Sequence, residues 1–154
     1  DEPWVDTVLV FLYTGFRLME LLNMQTEQVD LQQKTFQGGI KTAAGKGRIV
    51  PIHPKILPFV QAWAQHGHKY LITADGKKLS KQKYYECWAE VMDRIGADKT
   101  PHEARHTFET SLDNAKANRK CIDLLMGHKS KDVGNRVYNH KTLEQLRETI
   151  LLLE

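Results

Sequence analysis

The chain has 154 residues, 41% of them hydrophobic and 27% charged, a size and composition that suit one folded domain and exclude a disordered tail or a fibrous repeat. Its net charge of +3 is too small to announce nucleic-acid binding by itself, and no stretch approaches the roughly 18 consecutive apolar residues of a membrane span. The opening Asp1-Glu2-Pro3-Trp4 lacks the basic-then-apolar order of a signal peptide, so a cytoplasmic protein with Cys87 and Cys121 as reduced core thiols is expected.

In chain order, Pro3 suits the first turn of a helix whose apolar face (Val5, Val8, Leu9, Phe11, Leu12) runs to a break at Thr14-Gly15. A second helix covers Arg17 to Asn23, with Leu18, Leu21 and Leu22 inward. The period then changes. Val29 to Leu31, Thr35 to Thr42 and Arg48 to Ile52 read as short strands joined by turns at Gln33-Lys34 and Ala43 to Gly47, which makes a small antiparallel sheet. Pro54 opens a helix through Trp63, and Tyr70-Leu71-Ile72 reads as a stray strand. Ser80 caps a helix to Ile95 with Tyr84, Trp88, Val91 and Ile95 inward. Thr100, Pro101 and Glu103 form a capping box with the favoured proline, so a further helix starts there. Asn118 and Ser130 are N-caps of two short helices ending near Gly127 and Tyr138, and Leu143 to Leu153 closes the chain as an apolar-faced helix. The fold class is mainly α with a small antiparallel β-sheet, in a single domain over residues 1–154.

Basic residues gather at Lys41, Lys46 and Arg48, at Lys77, Lys78, Lys81 and Lys83, and at Arg119, Lys120, Lys129 and Lys131; taken singly, each cluster is as well explained by a solvated face. The capped helix says more. His102 and Arg105, three apart, share a face beside free N–H groups of a helix start, a combination that favours an anion such as phosphate. The same segment, His102-Glu103-Ala104-Arg105-His106, also fits the HExxH zinc-protease helix, but Glu109 and Leu112 stand where the extended zinc motif needs Gly and His. The capping box also commits Glu103 to its own helix terminus. No metal site and no cofactor are expected.

Thr14-Gly15-Phe16-Arg17-Leu18-Met19-Glu20, the Lys41-Thr42 to Arg48-Ile49-Val50-Pro51-Ile52 hairpin, His102-Glu103-Ala104-Arg105-His106-Thr107-Phe108, Leu125-Met126-Gly127-His128-Lys129-Ser130, and Tyr138 ten residues after His128 follow one another in the chain. In order and spacing they resemble the catalytic domain of tyrosine recombinases, the phage-integrase family. The resemblance implies that fold and a DNA breaking and rejoining enzyme with Tyr138 as nucleophile. It implies that Arg17 and Arg105 clamp the scissile phosphate, and that His102 and His128 bond it. The lysine of the hairpin, Lys41 with Lys46 as the alternative, becomes the acid for the leaving oxygen. Lys46, Arg48 and Lys129 are expected to touch substrate DNA, with Glu20 and His106 in support. The chemistry agrees, because a phosphodiester repels incoming anions and arginine offers a permanently charged, two-pronged donor. Met19 and Met126 are mild departures from the family pattern.

Double-stranded DNA is the expected partner, together with other protomers: a tetramer on DNA for a full-length protein and a monomer for the isolated domain, with no membrane. The early position of Thr14 suggests a catalytic fragment without the family's N-terminal core-binding and arm-binding domains. A type IB topoisomerase shares the Arg, Lys, His and Tyr chemistry, and a DNA-binding module that has lost catalysis would share the basic face.

Overall fold

The computed structural model describes residues 4–37, 48–127 and 140–154. Seven α-helices, a short 3-10 helix (Thr26–Gln28) and five short strands occur among them: α1 (Val5–Thr14), α2 (Leu18–Leu22), β1 (Val29–Asp30), β2 (Thr35–Gln37), β3 (Ile49–Pro51), α3 (Leu57–Gln65), β4 (Thr73–Ala74), β5 (Lys77–Lys78), α4 (Lys81–Ile95), α5 (Pro101–Asn114), α6 (Arg119–Met126) and α7 (His140–Ile150). The mostly helical class with a small antiparallel sheet is therefore observed.

The helices pack because each buries an apolar stripe on its neighbours. α1 lies along α5, α5 on α6, and α6 on α7, and α7 in turn covers β3. Phe11, Phe108, Leu112, Ile122, Leu125, Leu146 and Ile150, fully buried or within 1% of it, form the seam through these layers. Burying each such side chain is worth about 1.5–3 kcal/mol. The closing helix thus packs on its own chain, and Leu153 and His53 anchor its end through a 3.0 Å contact between the Leu153 carbonyl and the His53 ring.

β1, β2 and β3 form one antiparallel sheet in that order, with Val29 opposite Phe36 and Phe36 opposite Val50. The caps fall where side-chain chemistry puts them. Ser80 accepts the Lys83 N–H at 3.1 Å, the Asn118 carboxamide accepts from Lys120, and Thr100 and Glu103 exchange two bonds at 3.1 and 3.2 Å.

Three expectations shift. The helix foreseen from Pro54 begins at Leu57, because residues 54–56 are spent on a turn in which the His53 carbonyl accepts from Ile56 and Leu57. Of Tyr70 to Ile72, Tyr70 alone pairs, as a bridge to Gln25. The nearby strand pair is β4 with β5, around Asp75-Gly76 with φ of 52° and 77°. Two left-handed residues in an Asp-Gly turn are the ordinary way to close a two-residue hairpin. Ile95 is 53% exposed, since α4 runs past the core before Gly96 caps it in the left-handed region. Ser130 as a cap, and the helix foreseen to end near Tyr138, lie outside the described residues.

Candidate active site

The first wall of the site is the Thr14-to-Glu20 segment. α1 stops because Gly15 turns left-handed at φ 69°, its N–H returning to the Phe11 carbonyl at 3.1 Å. Thr14, wholly buried, donates to the Val10 carbonyl at 2.7 Å and accepts the Phe16 N–H at 3.2 Å, so the turn satisfies its polar groups internally. A Cβ on Gly15 would lie 3.0 Å or less from three atoms of the Phe108 ring. Glycine is thus required twice over, by φ and by the closeness of α5. α2 follows at once, with Arg17 at its N-cap and the Glu20 carboxylate reaching back to accept the Arg17 N–H at 2.9 Å.

That close approach brings three distant segments onto one guanidinium. Arg105 on α5 is buried and donates from Nη1 to the Gly15 carbonyl at 2.6 Å and from Nη2 to the Met126 carbonyl at 2.9 Å. Glu20, also buried, lies 3.9 Å from Arg105 and 3.6 Å from the half-exposed Arg17, and its other oxygen bonds Arg48. Arg48 in turn donates from Nε and Nη2 to the Leu125 carbonyl at 3.0 and 2.6 Å, and its plane sits 5.4 Å over the Phe16 ring.

Three guanidiniums therefore surround a single carboxylate among the described residues of this cluster. Burial foremost, then repulsion from Arg17 and Arg48, pulls Arg105 down to about 10, with Glu20 and Glu109 opposing. The cation still persists at neutral pH. A cluster so short of negative charge is set to accept an anion, and the fork geometry of arginine suits the oxygens of a phosphodiester.

The other expected residues distribute as follows. His102, in the first turn of α5, is exposed, and its ring meets that of His106 edge-on with centroids 4.8 Å apart. His106, expected in a supporting position, is exposed as well. Glu103 is committed to the capping box, as expected, and no group of three metal-ligating side chains occurs among the described residues. Glu20 lies where support of neighbouring arginines requires it.

Arg48 departs from the expected contact with DNA: at 1% exposure its guanidinium faces Glu20 and a carbonyl inside the protein. The reason is local. Arg48 immediately precedes β3, the edge strand of the sheet, which α7 covers, and its side chain is directed into the domain toward Glu20 and Leu125. Lys41, Lys46, His128, Lys129 and Tyr138 lie outside the described residues. Of the other tyrosines, Tyr84 is wholly buried against the Thr7 hydroxyl at 2.8 Å, and burial raises its phenol well above the ordinary range, which unfits it as a nucleophile.

The acceptors that hold the arginines are backbone carbonyls of Gly15, Leu125 and Met126, which no reading of side-chain types can find. One signal was present. Gly127, left-handed at φ 69°, ends α6, so the Leu125 and Met126 carbonyls of its last turn accept from the arginines and not from a further helical turn.

A family model described as the phage integrase family matches residues 6–145. The tyrosine recombinase XerC of Proteus mirabilis is 30% identical over 91% of the chain and 48% of its own length. XerA of Thermococcus kodakarensis is 29% identical over 92% of the chain and 52% of its own. Among solved structures, the integrase from mycobacterium phage Brujita superposes with a TM-score of 0.75 at 19% identity, covering 97% of this chain and 50% of that one. The Tn1549 transposon integrase, in complex with transposon right end DNA, gives 0.71 at 18% identity over 96% and 58%. The chain spans about half the length of the curated relatives it matches, at 48% and 52%.

Proposed function

Because the chain belongs to the phage integrase family of tyrosine recombinases, we propose that it is the catalytic domain of a site-specific recombinase that breaks and rejoins DNA through a 3′-phosphotyrosyl bond at Tyr138. In the forward step the Tyr138 oxygen attacks phosphorus, the bond from phosphorus to the 5′ oxygen breaks, and that oxygen leaves with a proton. In the reverse step a 5′-hydroxyl attacks the phosphotyrosine and frees Tyr138. Free energy of the phosphodiester is retained throughout, and the chain's own residues supply the chemistry without a metal.

The observation that carries this reading is the bonding of Arg105 to both the Gly15 and Met126 carbonyls. One buried cation ties together the segments of Arg17, of His102 and of the chain leading to His128. Around it, more positive than negative charge is preorganised, which is what a pentacoordinate phosphorus requires. Arg17 and Arg105 hold the non-bridging oxygens, and His102 and His128 bond them and manage the proton of Tyr138. Lys41, with Lys46 as the alternative, protonates the leaving oxygen. Lys46 and Lys129 contact the flanking backbone. Double-stranded DNA is the substrate, other protomers join on it as a tetramer, and the site of action is the cytoplasm of a bacterial or phage-infected cell. No described helix is long and apolar enough to cross a membrane.

The test is a covalent adduct on nicked half-site DNA. Tyr138→Phe removes only the attacking oxygen, so it abolishes the adduct and leaves DNA affinity close to that of the parent. An adduct that survives this change, or that maps by peptide sequencing to Tyr85 or a serine, overturns the assignment.

A further inference from the structure

We propose that Arg48 is a positioning residue for strand transfer: its buried guanidinium joins the Glu20 carboxylate to the Leu125 carbonyl and so fixes the segment of Arg17 against the segment that leads to His128. The proposal rests on the function given above and changes the part Arg48 plays in it, from touching DNA to holding the parts that do.

Three observations carry it. The first is the division of donors. Nη1 bonds Glu20 while Nε and Nη2 converge on the Leu125 carbonyl, so a single rigid plane spans two segments more than a hundred residues apart in the chain, as Glu20 and Leu125 show by their numbers. A lysine has one charged centre and cannot span them. The second is what Glu20 does next. Its other oxygen accepts the Arg17 N–H and lies 3.9 Å from Arg105, so a shift of Arg48 passes to both arginines that would hold the phosphate. The third is how little room remains. A Cβ on Gly127 would stand 3.0 Å from Arg48 Nη1 and 3.1 Å from its Cδ, so the residue just before His128 packs directly on the guanidinium.

A buried ion pair is a weak source of stability, since apolar residues of equal volume often serve as well or better. What an apolar pair cannot supply is the set of directed bonds to Leu125 and to Glu20. Arg48 also stands at the end of the stretch that carries Lys41 and Lys46, which makes it the covalent neighbour of a third part of the site.

The experiment compares wild type, Arg48→Lys and the double variant Glu20→Gln/Arg48→Met in single-turnover adduct formation on nicked half-site DNA, across a range of protein concentrations, with melting temperatures beside them. Positioning predicts that the saturating rate falls about tenfold or more in both variants, since small misplacements of catalytic groups are costly, while half-saturation stays near that of wild type. The double variant removes the closest buried ion pair as a whole and leaves Arg105 its Gly15 and Met126 carbonyls, so it melts nearer to wild type than a chain that lacks only Glu20. A saturating rate equal to wild type in either variant ends the proposal. So does a loss that lies wholly in half-saturation and shrinks as salt rises, which would return Arg48 to direct DNA contact. If neither variant folds, Arg48 serves stability and the proposal also fails. Absence of an adduct in wild type itself would instead overturn the proposed function, and the positioning claim with it.

Discussion

The layer beneath α1 and α4 and the layer between α2, β3 and α6 are equally buried, yet they are held by different forces. In the first, the Phe11 ring lies 5.8 Å from Tyr84 and 5.9 Å from Trp88, tilted and edge-on, and the cohesion comes from apolar area removed from water. In the second, Arg48 and Arg105 donate to carbonyls at 2.6 to 3.0 Å while Glu20 accepts from Arg48, and the cohesion is directional. The difference teaches where tolerance lies. An apolar layer accepts small shifts of its members, whereas a fan of hydrogen bonds from the two buried guanidiniums of Arg48 and Arg105 does not.

The largest effects should expose this contrast in stability. Phe11→Ala opens a cavity and should cost about 3–5 kcal/mol in denaturant unfolding. Glu20→Ala removes the carboxylate that Arg48 bonds and should cost about as much, roughly 3–5 kcal/mol. The two losses should then part company. Adding Arg48→Met to a Glu20→Gln background should recover most of the second loss, because removing both charges together leaves a neutral pair. No such partner change is expected to refill the site of Phe11 short of a larger side chain. If the double change is no more stable than Glu20→Ala, the second layer is held by packing after all.

A smaller effect separates the layers by function. Arg105→Ala should lower adduct formation on nicked DNA by on the order of a hundredfold, the usual cost of losing one preorganised donor. Tyr84→Phe breaks the bond to the Thr7 hydroxyl and should cost about 1 kcal/mol of stability with no change in adduct rate. A Tyr84→Phe chain that folds but reacts slowly would mean that the aromatic layer reaches the chemistry.

The two layers also differ in how far the sequence disclosed them. Apolar spacing alone placed Phe11, Tyr84, Trp88 and Val91 inside, and the Thr100 to Glu103 box located α5 to the residue. It failed at Ile95, where periodicity continues after the core has ended, and at Pro54, where a turn absorbs the first residues of the helix. In the site, the family resemblance implied that Arg17 and Arg105 share one phosphate with Glu20 in support, and the three side chains lie together. It misplaced Arg48, because a basic residue beside a hairpin reads as a surface group until the covering α7 and the facing Glu20 and Leu125 are known. The Leu125 and Met126 carbonyls were beyond reach, since every residue carries a carbonyl and only tertiary packing decides which one accepts.

The smallest effect concerns the join between the layers and the closing helix, where a titratable group is buried. His53 accepts the Lys55 N–H on Nδ1 at 3.0 Å, which leaves Nε2 as the donor to the Leu153 carbonyl, also at 3.0 Å. Both ring nitrogens are thus satisfied only in the neutral form. Burial, aided by Lys55, lowers the His53 pKa below its ordinary 6.5, with the Leu153 bond opposing. A group depressed in this way contributes stability that is fully present above the unfolded value and is lost as pH falls from there through the folded one. Once pH falls through the depressed folded value, the imidazole takes a proton on the nitrogen that faces an N–H, and the anchor of Leu153 weakens. Hydrogen exchange at 150–154 should accelerate on acidification from neutral pH to below that of the folded His53, while exchange in α5 remains slow. In His53→Gln the end of the chain should be looser at every pH, and its stability should lose this part of the acid dependence. An acid response in His53→Gln identical to that of the parent would place the titrating group elsewhere.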